Sequence, residues 1–466
     1  MQTDHPAGTA GAQGTGTGSA ATAGAGATVP DDWPLPRAAG PVRALVRVPG
    51  SKSMTNRALV LAALAEGPVT IKGPLAARDT ALMADALRTL GAEVTESPGS
   101  WQVTPAPAGD RPASSHGAGR RSLRVDVGNA GTVLRFVPPV AALTEADVAF
   151  SGDPRIAQRP VGPLLDALRQ FGADISGAGS VPFVVHGHGG LAGGAVTLDA
   201  SQSSQLISGL LLAAARFGKG AEVEHQGKAV PSAPHIEMTV RMLRAIGIEV
   251  QRDEATAPDT WRVLPGPISV SRIEIEPDLS NALPFLAAAL ATGGEVTVAD
   301  WPADSVQPAG RIIELLTALG AEAARTPAGL RVAGSGRIRG VRANLGEVGE
   351  LTPVLTALAA LADSRSEFTG IGHLRTHESD RLAALAHEIG KLGGDVTELD
   401  DGLAIRPAPL RADGVIFDSH DDHRLVMAAA VLGLVTGGLT VHNAGTVGKT
   451  FPGFGQLWAR LLAPAG

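Results

Sequence analysis

Residues 49–68 read PGSKSMTNRALVLAALAEGP. Ser51, Lys52 and Ser53 open a helix whose later turns are almost all Ala, Leu and Val, and Gly67-Pro68 stops it. The plan recurs. Leu/Ala-rich helices stand near Ala58, Phe136, Leu206, Leu283, Leu351 and Val426, at intervals of 68–78 residues, each followed by a break and a Val-rich strand. A second, amphipathic helix type lies between them, mostly ending in Leu-Gly-Ala-Glu-Val or a relative, as in residues 81–94, 164–175, 240–250 and 312–321. Helix then strand, six times over, argues an α/β protein of six similar units. One unit cannot bury its helices alone, so the units should gather into lobes.

The residues before each Leu/Ala-rich helix carry a second message. They are Ser51, Lys52 and Ser53; Asn129, Gly131 and Thr132; Ser203, Ser204 and Gln205; Asp278, Ser280 and Asn281; Glu350 and Thr352; and Asp422, His423 and Arg424. Ser, Asn, Asp and Thr suit ordinary N-caps. Capping does not ask for Lys52 or Arg424, because a cation opposes the positive end of the helix dipole. Cation and helix terminus belong together when both face an anion. Two lobes pointing such ends at a shared cleft would bind a polyanionic ligand.

The totals narrow the class. The 466 residues exceed one ordinary domain, and 44% are apolar, enough for sizeable cores. A net charge of −7 gives no global attraction to nucleic acid or an acidic membrane. There is no cysteine, hence no disulfide, thiolate metal site or cysteine nucleophile, which fits a cytoplasmic protein. No signal peptide is expected, since the N-terminus lacks a basic segment followed by an apolar core. The apolar stretches are broken by Gly and Pro short of the ~20 residues a membrane span needs. Residues 1–32, mostly Gly, Ala and Thr, read as a disordered tail, and residues 105–121 as a flexible loop insertion.

Six segments taken in order resemble the 5-enolpyruvylshikimate-3-phosphate synthases, in an actinobacterial-like branch. They are Lys52-Ser53 with Arg57; Gly128-Asn129-Ala130-Gly131-Thr132 with Arg135; Pro154-Arg155 with Arg159-Pro160; Ser203-Ser204-Gln205; Glu378-Ser379-Asp380-Arg381; and Asp422-His423-Arg424 with Lys449-Thr450-Phe451-Pro452. The resemblance implies a two-lobed inside-out α/β barrel, each lobe three repeated units of helices packed on mixed sheets, with substrates between the lobes. Lobe one would be discontinuous, residues 33–49 plus 274–466, and lobe two would hold 50–273. It implies transfer of the enolpyruvyl group of phosphoenolpyruvate to the 5-hydroxyl of shikimate 3-phosphate, with no cofactor or metal, by a cytoplasmic monomer that serves aromatic amino-acid biosynthesis and is a glyphosate target.

Carried over by matching position, Lys52, Ser53, Arg57, Ser203, Ser204, Gln205, Ser232, Glu350 and His377 would contact shikimate 3-phosphate. Lys52, Gly131, Arg159, Gln205, Arg381, Arg424 and Lys449 would hold phosphoenolpyruvate. Two phosphates and two carboxylates meet in such a site, which asks for many cations, and guanidinium forks suit both groups. Proton transfer would fall to Glu350, His377 and Glu378, with Lys52 beside them. The family pattern has Asp at Glu350, Lys at His377, Tyr at His235 and Asn at His373. For His377 to replace a lysine it must be protonated, and Glu378 together with the bound anions is expected to keep it so somewhat above neutrality, against the effect of burial.

Two motifs point elsewhere. Residues 443–450, NAGTVGKT, nearly match a Walker A loop, but Asn443 sits where its first Gly must be and Pro452 disfavours the following helix. Asp418, His420, Asp421, Asp422 and His423 look like a metal cluster, yet Arg424 puts a cation beside it. The UDP-N-acetylglucosamine enolpyruvyl transferases share the fold and the phosphoenolpyruvate chemistry, but usually carry a loop cysteine and a Lys-Asn pair where this chain reads Lys52-Ser53. A sensor that kept only the phosphate-binding shell would have no need of Glu350, Glu378 and Lys449.

Overall fold

The computed structural model describes residues 29–106, 120–253 and 255–463. The Gly/Ala/Thr-rich tail up to residue 28, and residues 107–119 of the expected loop insertion, lie outside the described residues.

Five four-stranded sheets share one plan. In residues 121–186, for example, strand Arg121–Asp126 pairs in parallel with Ala146–Ser151 across helix Gly131–Ala141. Helix Gly162–Gln170 follows, then the antiparallel strands Asp174–Ser176 and Phe183–His186, the latter pairing with the second strand. The order first-second-fourth-third holds in four of them; in the fifth the first place is taken by a later strand, Arg272–Glu274, beside Val69–Lys72, and a three-stranded sheet joins Trp33–Pro34 to two strands near the end of the chain. The Leu-Gly-Ala signature has a local cause. Gly91, Gly172, Gly247, Gly320 and Gly393 all adopt positive φ just past the amphipathic helices. In the first, the Gly91 and Ala92 amides donate to the Arg88 and Leu87 carbonyls, so the motif satisfies the helix end and turns the chain into the next strand.

The other six helices lie inside. Lys52–Ala63, Gly131–Ala141, Gln205–Ala214, Leu279–Thr292, Thr352–Ala360 and His423–Thr436 are buried along most of their length, which is why their sequences are apolar all round. The first three pack on one another, as do the last three, and the sheets cover them. One hydrophobic core draws on residues between 54 and 273, and a second on residues 35–46 and 279–461. Among the described residues, no helix is long and apolar enough to cross a membrane.

The two cores exchange strands. Arg43–Val46 joins the sheet of Glu295–Ala299, while Arg272–Glu274 joins that of Val69–Lys72. The two connecting segments run side by side: the Ser51 amide donates to the Glu276 carbonyl and the Asp278 amide to the Pro49 carbonyl, both at 2.8 Å. Gly50 lies in this double crossing, and a Cβ there would fall 2.0 Å from the Gly73 carbonyl oxygen.

Candidate active site

The N-terminal ends of all six inner helices line one cleft. Three are closed by side-chain caps. Ser51 accepts from the Met54 amide, Asp278 from Asn281 and Asp422 from Arg424. Asp278 also accepts the Lys52 amide at 3.1 Å, so one carboxylate caps a helix on each side of the double crossing. The ends of Gly131–Ala141, Gln205–Ala214 and Thr352–Ala360 have no side-chain cap. Their free N–H groups and dipoles face the cleft and favour an anion there. Gly131 keeps one end open: a Cβ would sit 2.7 Å from guanidinium nitrogens of both Arg135 and Arg159.

Five cations, Lys52, Arg135, Arg159, Arg381 and Arg424, line the cleft against three carboxylates, Asp278, Glu350 and Glu378. Lys52 Nζ lies 3.0 Å from Asp79. Arg135 donates to the Pro160 carbonyl and to Gln205 Oε1, and burial lowers its pKa to about 9. Arg424 donates to Ser280 Oγ at 2.8 Å, and burial lowers its pKa too. Arg381 forks onto Asp422 at 2.7 and 3.2 Å and reaches Glu378 at 3.0 Å. Burial opposes its charge, but Asp422 and Glu378 raise its pKa above the ordinary arginine value. Glu378 also has Arg159 at 3.7 Å. Burial alone would raise the Glu378 pKa, but Arg159 and Arg381 hold it well below the usual carboxylate range. Several buried polar atoms around the cleft have no hydrogen-bond partner, among them Arg159 Nε, His373 Nε2 and His423 Nδ1. Such atoms are costly unless a ligand completes them.

Of the residues expected in the site, Lys52, Ser53, Gly131, Arg159, Ser203, Ser204, Gln205, Ser232, Glu350, His377, Glu378, Arg381 and Arg424 line this one cleft. Arg57 does not. It is buried beneath Ser53, donating to the Ser53 and His235 carbonyls and to Thr239 and Ser208 hydroxyls, and burial lowers its pKa to about 9. Lys449 is also outside the lining, buried at the end of the turn Ala444–Lys449 with no hydrogen bond or ion pair among the described residues. The turn packs against helix Arg78–Thr89 across the lobes. His235 and His373 do line the cleft. Asp278, Ser280 and Arg135 line it without having been assigned a ligand role, because the sequence presents them as caps or second motif residues, and Gln307 lines it with no motif in the sequence to single it out.

The expectation for His377 concerns the site with both anions bound, and the free protein differs from it. Burial, then Arg381, push its pKa well below the ordinary histidine value, with Arg159 and His373 adding to Arg381, and Glu378 does not offset them. His377 is therefore neutral near pH 7 in the free protein, and only ligand charge can reverse this.

The other two motifs have structural roles. Residues 444–449 form a 3-10 turn after a left-handed Asn443. His420 and Lys391 bind the buried Glu388, Asp421 binds Asn443, and Asp422 binds Arg381. Among the described residues, no three His, Cys, Asp or Glu side chains come together to hold a metal ion.

His423 is 3% exposed at its side chain, and burial, then Arg424 and Lys52, depress its pKa well below 6.5. The unfolded chain takes up this proton at about pH 6.5 and the folded protein does not, so stability falls as pH drops below that value. The stability lost between pH 7 and pH 5, read from urea midpoints, should be smaller in His423→Gln than in wild type, by up to about 2 kcal/mol.

Comparison with known proteins follows the same lines. The family model for EPSP synthase (3-phosphoshikimate 1-carboxyvinyltransferase) matches residues 36–458. Two solved structures of EPSP synthase from Acinetobacter baumannii superpose with TM-scores of 0.73 and 0.72 at 26% and 25% identity, each match covering 92% of this chain and 98% of the other.

Proposed function

The chain belongs to the EPSP synthase family and transfers the enolpyruvyl group of phosphoenolpyruvate to the 5-hydroxyl of shikimate 3-phosphate; we propose that it does so in the cleft between its lobes with the division of labour that follows. Shikimate 3-phosphate lies on lobe two against Lys52, Ser53, Ser203, Ser204, Gln205 and Ser232, with Arg57 supporting from beneath and Glu350 and His377 facing it from lobe one. Phosphoenolpyruvate lies against Lys52, Gly131, Arg159, Gln205, Arg381 and Arg424, with Lys449 closing behind. The lobes divide as residues 33–49 with 274–466, and 50–273, in keeping with the two cores.

In the reaction the 5-hydroxyl oxygen bonds to the enol carbon while the methylene carbon gains a proton. Phosphate then leaves as that carbon returns a proton. Glu350, free of any ion pair among the described residues, takes the hydroxyl proton. Glu378, among the guanidiniums that hold phosphoenolpyruvate, serves the methylene carbon. The substrate's anions share Arg159 and Arg381 with Glu378, which raises the Glu378 pKa from its depressed value and fits it to carry a proton. Neutral His377 donates a hydrogen bond towards the shikimate hydroxyls, and Lys52 balances charge between the two substrates.

The observation that carries this reading is the convergence of five cations and three open helix ends on one cleft. The test is phosphate release from phosphoenolpyruvate with shikimate 3-phosphate, against UDP-N-acetylglucosamine as acceptor, in Arg159→Ala and Arg424→Ala as well as wild type. Only shikimate 3-phosphate should serve. Both variants should raise the KM for phosphoenolpyruvate at least tenfold, with shikimate 3-phosphate affinity within about threefold, since each loses a charge-assisted contact. Near-normal kinetics in both variants would remove these arginines from the site. A cytoplasmic monomer is the matching proposal for the whole protein, checked by sedimentation and cell fractionation.

A further inference from the structure

The Pro154-Arg155 segment contains a second arginine that the site above does not use. Arg155 sits in the 3-10 turn Pro154–Gln158 of lobe two, anchored there by the fully buried Ile156. Its guanidinium crosses the cleft to lobe one. Nε and Nη2 both donate to the His377 carbonyl, at 3.3 and 3.2 Å, and Nη2 also reaches the Arg375 carbonyl at 3.4 Å. Nη1 is held by Gln158 Oε1 at 2.6 Å, which fixes the plane of the fork.

The target of this grip matters more than its strength. The His377 carbonyl belongs to the peptide group that joins His377 to Glu378. Holding it sets ψ of His377 and φ of Glu378, and so the directions of both side chains. Lobe one anchors the same loop from behind: Arg375 pairs with Glu398 and Asp380, and Asp380 caps helix Arg381–Lys391. Past the turn Gly372–Thr376, the amide of the preceding peptide reaches the Leu374 carbonyl at 3.4 Å, and from the same lobe Arg381 meets the tips of both side chains, His377 Nδ1 at 3.4 Å and Glu378 at 3.0 Å.

We propose that Arg155 is a positioning residue: by gripping the peptide between His377 and Glu378 from the opposite lobe, it aligns the Glu378 carboxylate and the His377 ring beside it only when the lobes are apposed. This rests on the assignment of Glu378 to proton transfer. The grip needs both lobes, so phosphoenolpyruvate bound to one lobe alone meets a misaligned carboxylate. Wasteful proton exchange at its methylene carbon is thereby limited. Because the fork binds carbonyls, its contribution is geometric, and misplacement of reacting groups by about 1 Å costs ~10²-fold in rate.

The experiment uses the full-length enzyme as wild type, Arg155→Ala, Arg155→Lys and Glu378→Gln. Arg155 is only partly buried and its contacts lie at the cleft, so the variants should keep the fold, checked by circular dichroism. Arg155→Ala should lose ~10²-fold in kcat with shikimate 3-phosphate Kd within about threefold, since most of that substrate's contacts are on lobe two and His377 adds one. Arg155→Lys keeps the charge but has a single ammonium in place of the fork, and should stay at least tenfold below wild type. With both substrates bound, amide exchange in residues 376–379 should be faster in Arg155→Ala. Full recovery in Arg155→Lys would make the effect one of charge and overturn the proposal. So would a normal kcat in Arg155→Ala beside a crippled Glu378→Gln. If Glu378→Gln itself turns over normally, the assignment of Glu378 falls instead, and the amide exchange still decides whether Arg155 holds the loop.

Discussion

Glu350→Gln should lower turnover by ~10²–10⁴-fold while shikimate 3-phosphate binds within a few-fold of its normal affinity. Glu350 stands in the turn Gly349–Leu351, just before helix Thr352–Ala360, whose first amides have no side-chain cap. No hydrogen bond or ion pair engages its side chain among the described residues, although Arg381 and Arg424 are close enough to feel its charge. A base must be both ionised and unoccupied. Glu378 meets the first condition and fails the second, since two guanidiniums already hold it. Gln at 350 keeps shape and hydrogen bonding but takes no proton. Rapid-quench turnover and calorimetric titration separate the two effects, and a loss below about tenfold would shift the hydroxyl proton to Glu378.

Arg381→Ala should damage stability and chemistry together. The side chain is nearly inaccessible and pairs with Asp422, which is fully buried, and with Glu378. Removing one partner of a buried pair costs about 3–5 kcal/mol, because the remaining charge has neither water nor counter-ion. In addition, loss of a preorganised group that meets developing charge costs ~10²–10³-fold in rate. Urea unfolding and kcat/KM for phosphoenolpyruvate measure the two. The pH dependence has a definite sign. In wild type, the depressed Glu378 pKa contributes stability above about pH 4.3 that is lost as pH falls. In the variant, Glu378 loses one of its cations and its pKa rises, so the deficit should shrink as pH is lowered from 7 to 5. A stability change below about 1 kcal/mol would contradict this account of the pair.

Much of the architecture was legible because the six inner helices are apolar on every face, a pattern that only complete burial explains. The Leu-Gly-Ala signature was legible for a local reason, the left-handed glycine that ends each amphipathic helix. The polar residues before the inner helices divided in a way composition does not reveal. Ser51, Asp278 and Asp422 are true caps, whereas Ser204 and Asn129 leave their helix ends open. Whether a side chain turns back to its own helix depends on what faces it across the cleft. Long-range facts were hidden for the same reason. Nothing near Asp278 in sequence announces Lys52, 226 positions away, and nothing near Arg155 announces His377. The neutral state of His377 in the free protein was hidden too, because the neighbouring Glu378 is evident in sequence, while burial and the guanidiniums of Arg159 and Arg381 become evident only in three dimensions.

The exchange of strands at the double crossing sets an order of events during synthesis. Residues 54–273 are contiguous and include every residue of the first core, so that core can close as soon as strand Arg272–Glu274 has left the ribosome. Strand Arg43–Val46 emerges first but finds its partner, Glu295–Ala299, only roughly 250 residues later. At ~5–20 residues per second that is roughly 10–50 s with unpaired backbone and the apolar side chain of Val46, buried in the folded protein, uncovered. Trp33–Pro34 waits longer still, for Thr440–His442 close to the end of the chain. The earliest-made strands are therefore the last to be placed, and a nascent chain arrested before residue 295 exposes them to chaperones or to other chains.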